Sequence, residues 1–192
     1  RGPMQKDYAV TQKLIHWLMG IFIMLDLFIA QKFGNFMGDP DGFIAYYNET
    51  RFASRVDHAT MGYILTTLFV LRIYFRRRHG GAELPAEMPG WQVTAANLGH
   101  WGLYGLMAAL FATGIITASA ASQPIVIFGA FDVAIGTSDE AFFQSVRQLH
   151  ELCTNLIIAL IVVHVAAALY HQFIVKDRTT RRMLVFWKRT QA

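Results

Sequence analysis

The stretch "QLHELCTNLIIALIVVHVAAALYHQF", residues 148–173, decides the fold because it is long and apolar enough to cross a membrane. It nevertheless carries His150, His164 and His171. A bilayer core about 30 Å thick needs roughly 20 mostly apolar residues in one helix. Ionisable side chains are costly in hydrocarbon and face the interior of a helix bundle or a cavity. The stretch therefore predicts a membrane-spanning helix with a functional interior face.

The rest of the chain is also unusually apolar. Of its 192 residues 54% are hydrophobic and 16% are charged, against roughly 45–50% apolar residues in a soluble domain. The single Cys153 excludes an intrachain disulfide and a cysteine-rich metal site. The segment Pro124–Gly136 is apolar but short, and we expect it at the interface or capping the bundle. We predict an all-α membrane protein, a four-transmembrane-helix bundle in one domain, with spans at Leu14–Ala30, His58–Phe75, Leu98–Ala120 and His150–Phe173. The three residues before Met4 are interpreted as an expression remnant.

The distribution of basic residues predicts the orientation. Thirteen of the 17 Lys and Arg residues lie before the first predicted span, from the last turn of the second span (Arg72) to the third, or after the fourth. The positive-inside rule then places both termini in the cytoplasm. Topology and contact with anionic lipid account for the net charge of +4, so the charge gives no reason to expect a nucleic-acid partner.

This orientation sorts four histidines into two layers. His58 and His150 fall near the outer ends of their spans, and we call them the outer pair. His16 and His164 fall deeper, and we call them the inner pair. His150 and His164 are 14 residues apart, which is about 21 Å along one helix face.

Two depth-matched pairs of neutral imidazoles suit the axial positions of two haem irons. A four-helix bundle holds such cofactors with side chains from facing helices. Two alternatives remain open from the residues alone. Any of these histidines could be a core residue bonded to a carbonyl, or part of a zinc site, although zinc favours three or four ligands at one depth.

Four segments carry a resemblance to a known family: "LIHW" (14–17), "DHATMGYIL" (57–65), "NLGHWGLYGLMAAL" (97–110) and the run from "LHELC" to "RRML" (149–184). Together they resemble the prokaryotic cytochrome b561 family, whose best-known branch is the superoxide oxidases. The resemblance spans Tyr8–Leu184. It implies a four-helix bundle in the bacterial inner membrane with two b haems, the outer held by His58 and His150 and the inner by His16 and His164.

The resemblance also implies a reaction. Superoxide would give up an electron at the outer face and leave as oxygen, and two such electrons would reduce ubiquinone nearer the cytoplasm. Protons would be taken up from inside, which makes the reaction electrogenic. The chain is thus predicted to be a superoxide:ubiquinone oxidoreductase.

Further residues have predicted roles beside these sites. Arg55 and Arg147 lie one turn outward of the outer pair, and we expect them to pair with haem propionates or attract an anion. The alternative is that both are helix-end arginines reaching the interface. Lys13 and Arg72 are candidates for the inner propionates. His171 is predicted to carry a proton beside the quinone, with an interfacial histidine as the alternative.

Two polar residues within the predicted spans have less defined roles. We interpret His100 as an interfacial histidine, with a haem ligand or a quinone hydrogen-bond donor as alternatives. Asp26, an intramembrane acid, is a functional candidate that could also simply reach the outer interface. Glycines within the spans could admit a flat macrocycle or close helix packing: Gly20, Gly62, Gly102, Gly105 and Gly114.

Two other functions compete with the predicted one. The predicted outer surface carries eight acidic residues against four basic ones, which would suit a basic periplasmic protein as the electron donor. The chain would then be an electron-transfer cytochrome b. The third possibility is a haem-free membrane transporter or metal-handling protein. Haem content separates this last class from the first two.

Overall fold

The computed structural model describes residues 7–34, 44–81, 88–137, 139–177 and 179–184, with backbone alone for 31–34 and 44–52. The three residues before Met4, residues 35–43 and the cations Arg1, Lys6, Arg178, Lys188 and Arg189 lie outside the described residues.

Long helices dominate the described part of the chain. They are α1 (Val10–Gly34), α2 (Ile44–His79), α3 (Gly90–Ser119) and α4 (Glu140–Tyr170). Three segments are long and apolar enough to cross a membrane: Val10–Ala30, Gly90–Ser119 and Glu140–Val175. The predicted helical membrane architecture is confirmed. The second span stays a prediction, because α2 is more polar and ends in the basic run Arg76–His79.

The helices form an antiparallel arrangement in which α1 packs on α2, α2 on α3, and α3 on α4. The amide of Gln12 donates to the carbonyl oxygen of Gly80 (3.0 Å), which joins the start of α1 to the end of α2. The indole of Trp17 donates to the carbonyl oxygen of Met183 (2.9 Å). The start of α1, the end of α2 and the C-terminal turn therefore meet at one end, which we call the basic end. Its cytoplasmic location stays a prediction.

The apolar core lies between the two histidine layers. Ile157 is 1% exposed and sits midway between His150 and His164 on α4. The ring of Phe69 on α2 packs edge-on against Phe111 on α3, with centroids 5.4 Å apart. The buried cluster is Ile15, Met19, Leu65, Phe69, Met107, Phe111 and Ile157. Most of this cluster lies between the outer pair and the inner pair.

A small hairpin closes the opposite end, which we call the hairpin end. Strands β1 (Val126–Ile127) and β2 (Phe131–Asp132) pair antiparallel. Phe128 and Gly129 both have positive φ in the tight turn between them. Buried residues of this segment pack against Ala59 and Tyr63 of α2. Pro124–Gly136 therefore covers the bundle beside His58, in agreement with the capping interpretation.

The end of α4 departs from the predicted span. The α-helix ends at Tyr170, and residues His171–Val175 continue as a π-helix. Lys176 then takes a positive φ, and the chain turns back into a short 3-10 helix at Arg181–Met183. The predicted end at Phe173 lies inside the π-helical turn, a geometry that occurs frequently at functional sites.

Candidate functional site

The outer pair is a close contact between α2 and α4. The ring centroids of His58 and His150 are 6.1 Å apart, with an angle of 71° between the ring planes. His58 Nδ1 lies 2.8 Å from Asp26 Oδ1 on α1. His150 Nδ1 lies 3.1 Å from the carbonyl oxygen of Leu110 and 3.0 Å from Thr113 Oγ1.

These contacts determine which nitrogens remain for a metal. A carboxylate and a carbonyl oxygen accept hydrogen bonds, so each Nδ1 acts as the donor. The lone pair of a neutral imidazole then lies on Nε2. Hydrogen bonding at one ring nitrogen is the usual second-sphere arrangement of a metal-binding histidine, because it fixes the tautomer and the ring orientation.

The inner pair joins α1 to α4. The ring centroids of His16 and His164 are 6.2 Å apart at an interplanar angle of 78°. His100 on α3 also reaches this layer, with its ring centroid 5.9 Å from that of His164. His100 thus lies against an inner-pair ring, deeper than the interfacial interpretation implied. The guanidinium of Arg72 lies over the ring of Tyr104, 5.8 Å from the ring centroid, and within electrostatic range of all three histidines.

Both pairs fit bis-histidine ligation of a haem iron. Two imidazoles on opposite sides of one metal, each nitrogen about 2 Å from it, would have ring centroids roughly 6 Å apart. Among the described residues, no group of three or more His, Cys, Asp or Glu side chains is arranged to hold a metal ion. The zinc alternative therefore gains no support from this part of the chain.

The span glycines divide into two kinds. A β-carbon built at Gly20 or Gly62, one turn after His16 and His58, would meet no heavy atom within 4 Å. An added methyl group at either position would therefore meet no protein atom. A β-carbon at Gly114 would lie 3.0 Å from His150 Cε1. Gly114 therefore allows the close approach of α3 to the outer pair.

The basic side chains predicted to assist the cofactors all have protein partners. Arg55 Nη2 donates to the Gln123 side chain (2.9 Å). Arg147 Nη2 donates to Glu151 Oε1 (2.9 Å) one turn along α4. Lys13, which is 5% exposed, pairs with Asp7 (3.3 Å).

A second polar cluster lies at the basic end. His171 Nδ1 is 2.6 Å from Asp177 Oδ2, and Asp177 Oδ1 accepts from the backbone N–H of Thr179 (2.8 Å). Burial by itself raises the pKa of Asp177, but the hydrogen bonds from Thr179 and His171 outweigh burial and hold that pKa below its ordinary value.

A buried polar atom without a partner lies beside this cluster in the sequence. Gln172 Oε1 is buried and has no hydrogen-bond partner in the described part of the chain. Buried polar atoms are nearly always paired, so an unpaired one needs an explanation. A polar ligand beside His171 would provide one.

The structure adds contacts to the predicted site histidines that the sequence did not assign. Asp26 contacts His58, Thr113 contacts His150, and Asp177 contacts His171. Asp26 carried a sequence signal, since an acid in the outer half of a span falls at the depth of His58. No sequence signal pointed to Thr113 or Asp177, because each contact depends on how two elements of the structure pack.

Comparison with known proteins agrees with the sequence motifs. The family model for prokaryotic cytochrome b561 matches residues 7–185. Cytochrome b561 homolog 2 of Escherichia coli K12 is 31% identical over 180 residues, covering 92% of this chain and 90% of that protein. Cytochrome b561 homolog 1 of the same strain is 27% identical over 177 residues, covering 92% and 96%. A probable superoxide oxidase, CybB, of Yersinia pestis is 25% identical over 182 residues, covering 94% and 97%.

Proposed function

The chain belongs to the prokaryotic cytochrome b561 family, and from this we propose that it passes electrons from superoxide, at the periplasmic side of the bacterial inner membrane, to ubiquinone. The family is one of membrane electron-transfer proteins with b-type haem. The observation that carries the proposal is the presence of two histidine pairs, with ring centroids 6.1 and 6.2 Å apart, at opposite ends of the apolar core.

Each pair would hold one haem. His58 and His150 would bind the outer haem through Nε2, and His16 and His164 would bind the inner one. Two b haems, when bound, supply one-electron carriers at two depths in the bilayer. Lys13 and Arg72 would lie at the inner propionates, although Lys13 already has the carboxylate of Asp7 as a partner.

The outer end would receive the substrate. Arg55 and Arg147 would raise the local positive potential where superoxide approaches, because positive charge at a site steers a small anion toward it. Two superoxide ions would release two electrons and leave as two oxygen molecules. The hairpin would limit access of water and of larger oxidants to this end.

The basic end would complete the reaction. Ubiquinone takes two electrons and two protons to become ubiquinol. His171, oriented by Asp177 at 2.6 Å, would hold a proton beside the quinone carbonyl. The unpaired oxygen of Gln172 would offer a further polar contact to the quinone head group.

Haem content and ligand variants test the proposal. Wild-type protein purified in detergent should contain two b haems per chain, low-spin when oxidised and when reduced by dithionite. Each of H58A and H150A should remove the same haem, and H16A and H164A should remove the other. One haem in the wild type would exclude one of the pairs, and no haem after reconstitution would refute the redox function.

The donor is tested separately. The double variant R55Q/R147Q should keep both haems yet reduce them more slowly with superoxide, and the loss should shrink at high salt because the steering is screened. Unchanged reduction rates would refute superoxide steering by these two arginines.

A periplasmic protein donor is the second candidate, favoured by the acidic hairpin end. Exposed acidic residues at this end of the described chain outnumber the two arginines; they are Asp57, Asp132, Asp139, Glu140 and Glu151. Such a surface would attract a basic protein. Reduction by a basic redox protein that exceeds reduction by superoxide, and that falls with salt, would favour this candidate.

A further inference from the structure

Asp26 is a buried acid with a defined partner. It is 9% exposed, although it lies within a helix long and apolar enough to cross the membrane. Its Oδ1 is 2.8 Å from His58 Nδ1. Burying a carboxylate is costly unless the charge is paired and hydrogen-bonded, so this contact accounts for how the acid is tolerated there.

The two histidine layers differ in their electrostatic surroundings. On the outer pair, His58 bonds to a carboxylate and His150 to a neutral carbonyl oxygen. The described contacts of the inner pair are instead with aromatic rings: His16 with Trp17 and His164, and His164 also with His100.

We propose that Asp26 is a positioning residue that lowers the reduction potential of the outer haem through its hydrogen bond to His58. This inference rests on the proposed function, because it assumes that His58 binds an iron. A carboxylate at Nδ1 makes the imidazole a more basic ligand. A more basic ligand and a nearby negative charge both favour the oxidised iron, which carries one more positive charge than the reduced iron.

The contact bears on the direction of electron transfer. Asp26, 2.8 Å from His58, would disfavour an electron at the outer layer. An electron that enters at the hairpin end would then leave the outer layer more readily toward the basic end, where quinone is proposed to bind. Second-sphere hydrogen bonds are among the means by which a protein adjusts haem potential.

The test is a spectroelectrochemical titration of both haems in the purified protein. D26N removes the charge while keeping a side-chain oxygen of similar reach. We expect the reduction equilibrium constant of one haem to rise at least tenfold, which is about 59 mV for a one-electron couple. The low-spin electron paramagnetic resonance signal of that haem should shift as well, and the other haem should change little.

Asp57 supplies the matched control. It precedes His58 on the same helix but is exposed to solvent, so D57N removes the same charge from a screened position. D57N should leave both potentials unchanged. Equal shifts in D26N and D57N would overturn the role of the hydrogen bond, since they would report only general charge.

The remaining outcomes separate the inference from the proposed function. Two haems with wild-type potentials in D26N would overturn the inference and leave the proposed function standing. Absence of haem from the wild type would overturn the proposed function itself. If D26N loses one haem, the D26E variant decides between two explanations. Retention of that haem in D26E supports the carboxylate as the determinant, whereas its loss shows that residue 26 acts only through packing.

Discussion

Gly114→Ala should weaken the outer haem site selectively. The added methyl group would lie 3.0 Å from His150 Cε1 and 3.4 Å from its Nδ1, whereas ordinary carbon contacts lie at about 3.5–4.0 Å. The ring cannot retreat without strain, because Nδ1 is bonded to Leu110 and Thr113.

The magnitude follows from two opposing contributions. Overpacking a well-packed site costs about 1–3 kcal/mol, and replacing a helical glycine by alanine recovers up to about 1 kcal/mol. The net loss of about 1–2 kcal/mol corresponds to roughly 5–30-fold weaker binding. The haem proposed for the outer pair should therefore be lost faster.

The assay follows transfer of haem from the detergent-solubilised protein to an excess of a haem-scavenging globin, with the two haems distinguished by their spectra. Gly105→Ala on the same helix is the control, since a β-carbon there would meet no heavy atom within 4 Å and the position is exposed. Equal loss rates in the two variants would refute the assignment of His150 to a tightly fitted ligand position.

Three further predictions concern single contacts. Gln12→Leu should destabilise the protein by about 1–3 kcal/mol, because it leaves partly buried backbone groups of Ala9 and Gly80 unpaired. Gln144→Leu, which removes an exposed side-chain bond to Glu140, should change the midpoint of thermal unfolding in detergent far less. The pKa of Asp177 is lower in the folded state than its unfolded value of 3.8, so the ionised side chain stabilises the folded state at pH values above 3.8. Hydrogen-exchange protection factors of residues 171–184 should therefore fall only as the pH drops below that value. Asp177→Asn should abolish this pH dependence. Thr113→Val should retain two haems by absorbance, because a carbonyl oxygen remains to orient the outer ligand; loss of one haem would contradict this.

The helical rise explains why the histidine layers could be predicted from the sequence. Along a helix, depth follows directly from residue number once the direction of each span is known. Placing His150 and His164 on one face of α4 therefore also fixed the depths at which partners were needed. The structure brings His58 and His16 to those depths. The haem-ligand roles themselves stay predictions.

Contacts that depend on helix rotation could not be predicted in the same way. His100 was interpreted as an interfacial histidine, and only the packing of α3 on α4 turns its ring toward His164. Asp177 reaches His171 because the chain changes to a π-helix and then reverses at Lys176. Neither contact is accompanied by a hydrophobic periodicity in the sequence from which it could be predicted.

The contact between Asp26 and His58 combines a sequence signal with a contact that only helix packing reveals. The residues are 32 positions apart, and each was conspicuous alone as an ionisable group within a predicted span. An ionisable pair in a span needs a reason, because apolar side chains at both positions would avoid the cost of desolvation. Binding of an iron would explain His58. A need for that iron to lose its electron readily would explain Asp26. The acid therefore points to the direction of electron transfer, and its replacement by asparagine tests that direction without changing the ligands.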